Sequence, residues 1–120
     1  MKLADFLLVF AGSGLGGCLR FVLSILIGKT NQFPFATLII NIFACLVAGF
    51  LINKYNIQNP DYQSIRFFLL IGFCGGFSTF SAFSLEVVEL FQKGFWLQAF
   101  GYILISVLAG FLGISIGMKL

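Results

Sequence analysis

Gly72-Phe73-Cys74-Gly75-Gly76-Phe77-Ser78-Thr79-Phe80-Ser81-Ala82-Phe83-Ser84 is the stretch on which the architecture turns. It sits inside an uncharged apolar run over 67–85, yet it holds adjacent glycines followed by Ser and Thr, whose hydroxyls compete for backbone groups. The pattern predicts a membrane-spanning helix that breaks near its middle. Interrupted backbone at that depth survives only where protein or a water-filled cavity covers it. Free carbonyls ending the first half-helix suit a hard cation, and the amide end of the second favours an anion. Beyond the break, Phe80 and Phe83 stand at i and i+3 and so share a face, with Ser81 and Ser84 on the adjacent one. A phenyl ring is positive at its edge, so such a pair can solvate a small anion that has shed its water. The plain alternative, in a chain with 17 Phe, is a lipid-facing or core stripe.

Working outward, three more uncharged stretches over 6–27 (broken by Arg20), 35–52 and 95–118 give four spans, the third helix running on to 91. Their lengths bracket the ~20 residues that cross a ~30 Å hydrocarbon core. The fold expected is all-α, a single transmembrane domain over 1–120. Composition agrees: 60% of residues are hydrophobic, 9% are charged, and the mean hydropathy is +1.08. So few charges cannot cover a small soluble globule, which excludes a conventional soluble enzyme and a disordered tail. The net charge of +3 is spread singly, with no cluster to track phosphates, so no nucleic acid is expected. Without His, imidazole catalysis and the usual zinc and haem ligand sets are missing. Cys18, Cys45 and Cys74 lack C-x-x-C spacing, lie in apolar runs and read as small buried hydrophobes. Lys2 and the small residues over 11–17 imitate a signal peptide, but the apolar character continues well past them.

Lys2, Lys54, Arg66 and Lys119 fall on one side of the membrane and Lys29 and Lys93 on the other, with Arg20 about two turns inside the first span. So small a bias permits insertion either way up, and hence an antiparallel pair of identical subunits. It is equally compatible with a single orientation. Residues 12–17 satisfy G-x-G-x-x-G, but inside a span, with no acidic residue where a ribose partner belongs, close helix packing explains them better. The same logic covers Ser106, Gly110, Gly113 and Gly117 in the fourth span, with Tyr102 one turn before Ser106. Arg20 must face water or a partner, either as a snorkelling anchor or in an anion-attracting vestibule. Asn41 is mid-span, with Thr37 one turn before and Cys45 and Gly49 one and two turns after. This small and polar stripe faces protein or a pore.

Gly75-Gly76-Phe77-Ser78-Thr79-Phe80-Ser81-Ala82-Phe83-Ser84 resembles the G-G-x-[ST]-T-F-S-[ST]-F-S signature of the Fluc fluoride channels. Gly16-Gly17-Cys18-Leu19-Arg20-Phe21 is similar to that family's G-x-x-x-R-[YFW] element. Ala36-Thr37-Leu38-Ile39-Ile40-Asn41 echoes its Gly-Thr-[LF]-x-x-N, and the likeness covers the whole chain. Ala36 for Gly and Ala82 for Ser or Thr are departures that remove no needed group. The resemblance implies a passive fluoride channel of the inner membrane, an antiparallel homodimer with two pores. It makes Phe80 and Phe83 ring-edge residues of each pore and Asn41 a polar donor beside them. Thr79 and Tyr102 with Ser106 would join the lining, as would Thr37, Ser81 and Ser84. Arg20 would lie in the vestibule, where Glu86 is a plausible acid. Backbone carbonyls of Gly75 and Ser78 would hold a structural sodium ion at the dimer centre. The chief rival, a small drug-proton antiporter, needs a carboxylate deep in a span; Asp5 is at an end, and Glu86 and Glu89 follow the last serine of the third span. A packing subunit of a larger complex would leave the glycine break idle.

Overall fold

The computed structural model describes residues 1–28, 32–56 and 59–120; Lys29, one of the charges weighed above, lies outside the described residues. The chain forms α1 (Leu3–Ile27), α2 (Phe35–Lys54), a helical run α3 over 63–77, α4 (Phe80–Gln92) and α5 (Trp96–Gly117). A 3₁₀ turn at Pro60–Tyr62 leads into α3, with Asn59 accepting from the Asp61 amide at 3.0 Å. Among the described residues, four segments are long and apolar enough to cross a membrane, the third comprising Pro60–Gln92 with its interruption. The protein is therefore a multi-pass, all-helical membrane protein.

The third span breaks, although not at the glycine pair. Gly75 and Gly76 remain helical, and the backbone becomes extended at Ser78 (φ −88°, ψ 155°) and Thr79 (φ −152°, ψ 124°). Here the Ser and Thr chemistry decides. Ser78 sends both its N–H (3.0 Å) and its hydroxyl (2.8 Å) to the Cys74 carbonyl, closing the last turn of α3. Thr79 then caps α4, its Oγ1 accepting from the Ala82 amide at 3.4 Å.

The glycines serve another purpose, which is helix contact. A Cβ on Gly12 would strike the Phe68 carbonyl oxygen, one on Gly16 the Phe73 carbonyl oxygen, and one on Gly76 the Ser13 backbone. Small residues four apart on α1 thus seat directly on backbone of α3, as expected of close packing in lipid. Over Arg66–Cys74 the α3 helix is wound wide, with i→i+5 bonding, and it is this segment that presents those carbonyls to α1. A second seam joins α2 to α5: Gly49 abuts the Ile114 carbonyl, Gly117 the Leu46 carbonyl, and Gly113 lies against Cys45. Two small cores flank the break. Ile40, Ala44 and Phe77 pack beneath it, while Leu38, Val87, Leu90, Ala99 and Tyr102 pack around α4. Most other large apolar side chains face outward, as suits contact with lipid or another subunit.

The turn between α4 and α5 is a Schellman motif, the Phe95 amide reaching the Leu90 carbonyl at 2.9 Å and the Gly94 amide the Phe91 carbonyl at 3.1 Å. Gly94 has φ +83°, the left-handed geometry this cap requires.

Candidate functional site: the interrupted helix and its cavities

Breaking a helix strands donors and acceptors, and two side chains predicted as site residues take them up. Asn41, from the middle of α2, accepts the Thr79 amide on Oδ1 at 3.2 Å. Arg20, from α1, donates Nε–H to the Gly76 carbonyl at 3.3 Å, placing a cation at the negative end of α3. The position of Arg20 within its span is thereby explained: it faces a protein partner and is only partly exposed. Because Oδ1 of Asn41 is committed to an N–H, its NH₂ is the end left to donate.

Two cavities meet at this point. The first, of about 190 Å³, is lined by Arg20, Ser24, Thr37, Asn41, Thr79 and Glu86 among others. The second, of about 260 Å³, is lined by Asn41, Cys45, Thr79, Phe80, Phe83 and Ser106 among others. Asn41 and Thr79 belong to both, so a polar, charged chamber and an aromatic one share a wall at the break. The rings of Phe80 and Phe83 stand 5.8 Å apart at 40° on one side of α4, as the i, i+3 spacing predicted. Phe83 rests edge-on against Tyr102 at 5.0 Å, whereas Phe80 is 79% exposed. Ser106 Oγ is buried without a partner among the described residues, which leaves its O–H free to donate into the second cavity.

Other predicted residues lie elsewhere. Tyr102 is fully buried behind Phe83 rather than on a cavity wall, and its hydroxyl donates to Glu86 Oε2 at 3.4 Å. Thr37 donates to Glu86 Oε1 at 2.5 Å. Glu86 therefore joins α2, α4 and α5 while lining the first cavity, a role the spacing alone did not reveal. Ser81 is exposed and pairs with Thr79 (2.8 Å between hydroxyl oxygens), and neither it nor Ser84 lines either cavity. The cysteines divide: Cys74 is buried and Cys45 half-buried, but Cys18 is exposed on α1, contrary to the reading of all three as buried.

Gly75 and Ser78 line a third cavity of about 260 Å³ on the other side of the break. No group of three or more His, Cys, Asp or Glu that could hold a metal occurs among the described residues. For a hard cation, the ligands at hand are oxygens. In an unbroken helix the Thr79 amide would bond the Gly75 carbonyl, but Asn41 takes that amide, which frees a hard oxygen beside the cavity. Oxygen donors of this kind suit a hard cation.

The fold and site define a small four-span membrane protein whose interrupted third helix separates a charged chamber from an aromatic one. Residues 7–118 match the family described as CrcB-like protein, Camphor Resistance (CrcB), and the chain belongs to that family. It is 39% identical over 112 residues to a protein of Azobacteroides pseudotrichonymphae named "Fluoride-specific ion channel FluC", with 92% of this chain and 90% of that protein covered. It is 41% identical over 117 residues to a protein of the same name from Phocaeicola vulgatus, covering 93% of each. A third relative of that name, from Flavobacterium psychrophilum, is 41% identical over 109 residues, covering 89% of this chain and 88% of that protein.

Proposed function

We propose that this protein is a passive, fluoride-selective channel that lets the ion leave the cytoplasm across the inner membrane, with no reaction catalysed. The observation that carries the reading is the meeting of the two cavities at Asn41 and Thr79 beside Phe80 and Phe83. A fluoride ion is small and strongly hydrated, so it crosses only where donors replace its water. Arg20 supplies positive charge in the first chamber and the Asn41 NH₂ the first fixed donor beyond it. The Ser106 hydroxyl and the positive ring edges of Phe80 and Phe83 continue the path in the second. Thr37 and Tyr102 act through Glu86, whose carboxylate they fix by hydrogen bonds at the wall of the first chamber. Thr79, Ser78 and Ser81 shape the break, and Ser84 stands one residue beyond Phe83.

Two antiparallel copies complete the structure in this reading. The exposed Phe80 ring needs a second wall to enclose an ion, and the near-even charge on the two faces allows both orientations. A homodimer of this kind has two pores. The Gly75 and Ser78 carbonyls would hold a structural sodium ion at its centre, where the ion would supply fixed positive charge between the paired breaks. The named relatives support the fluoride assignment. The test is efflux from vesicles loaded with fluoride and chloride and reconstituted with the purified protein. Release of fluoride with chloride retained is expected; equal passage of both, or of neither, refutes the reading.

A further inference from the structure

We infer that Cys45 and Cys74 together form a binding site for a soft, thiol-seeking cation that prefers two ligands in a line. Both thiols are free, and they come from different helices, Cys45 from α2 and Cys74 from α3. They line the same third cavity, of about 260 Å³, which lies between the two helices. The remaining walls are Ala44, Ala48, Leu70, Gly75, Ser78 and Ile114. No carboxylate or imidazole is among them, so zinc would lack its further ligands while a two-coordinate soft ion would lack none. Thiolate sulfur also selects for softness. As the ion binds, each thiol releases its proton to solvent and forms one sulfur–metal bond. When the ion arrives as mercuric chloride, its two chlorides leave and no electron is transferred.

The location gives the site a consequence. Cys45 and Ser78 also line the aromatic cavity, so an ion bridging the two sulfurs ties α2 to α3 beside the break and adds bulk at the wall of that cavity. Cys18, exposed on α1, lines none of the three cavities and takes no part.

The full chain carrying Cys18→Ser, purified in detergent, is titrated with mercuric chloride. Binding is followed by the sulfur-to-mercury charge-transfer absorption and by intact mass, and the complex is then challenged with excess monothiol. One mercury per chain is expected. Adding Cys45→Ser or Cys74→Ser leaves a singly held metal that the monothiol strips about a hundredfold faster, because the second sulfur no longer acts at high effective concentration. Cys45→Ala and Cys74→Ala replace either variant that does not remain monodisperse. Two mercury ions per chain, or equal stripping rates with and without Cys45, would overturn the proposal. None of these readouts depends on which ion the protein conducts, so they stand apart from the vesicle test of the metal-free protein.

Discussion

The two halves of the third span meet the rest of the protein in opposite ways. The first half is sealed against α1 by backbone on backbone, with Gly12, Gly16 and Gly76 leaving no room for a single added carbon. The second half begins with an exposed phenyl ring and a cavity on each side of its cap. One half is held in place and the other is left open, and the polar clamps from Arg20 and Asn41 sit where they join.

The contrast is broken most severely on the sealed side. Gly16→Leu would drive its Cβ into the Phe73 carbonyl and to 2.8 Å from the Phe77 amide nitrogen. A loss of about 3 kcal/mol is expected from such overpacking, read as a collapse in the yield of monodisperse protein and in its thermal unfolding temperature. On the open side, Phe80→Ile or Phe83→Ile should abolish fluoride efflux while size-exclusion elution and unfolding temperature stay near the parent values. Unchanged flux in both would remove the aromatic path. At the junction, Arg20→Met deletes a charged donor to the Gly76 carbonyl and should lower stability by about 2 kcal/mol. Were Arg20 only an anion-attracting charge, flux would fall and become less sensitive to salt while the unfolding temperature held. The smallest effect is expected at Gly14, where an added Cβ meets nothing within 4 Å. Gly14→Ala should raise stability by about 0.5–1 kcal/mol through helix propensity alone, and a loss there would mean that the glycines of α1 act together rather than singly.

Apolar run length placed the spans: the expected 35–52 and 95–118 became Phe35–Lys54 and Trp96–Gly117, because hydropathy and helix length are both local properties. The presence of a break was legible from Ser78 and Thr79, but its position was read onto Gly75 and Gly76. Composition tells that a helix can fail, whereas the hydroxyl bonds to Cys74 and Ala82 determine where it does. Asn41 and Arg20 stood out as polar groups in apolar runs, yet their partners, 38 and 56 residues away, could not be read from spacing. Glu86 was the least legible. Its function depends on Thr37 and Tyr102 arriving from two other helices, and no periodicity within α4 carries that information.

The account rests most on Asn41, whose oxygen accepts the Thr79 amide at the break and whose NH₂ is the donor proposed to meet the ion. Asn41→Asp keeps an oxygen for the Thr79 amide but removes the donor, so the decisive measurement is fluoride efflux from vesicles carrying this variant at matched protein density. The expected result is a correctly assembled protein with its fluoride release lost. Release at the parent rate would show that the ion does not pass this residue, and that the interrupted helix serves some other end.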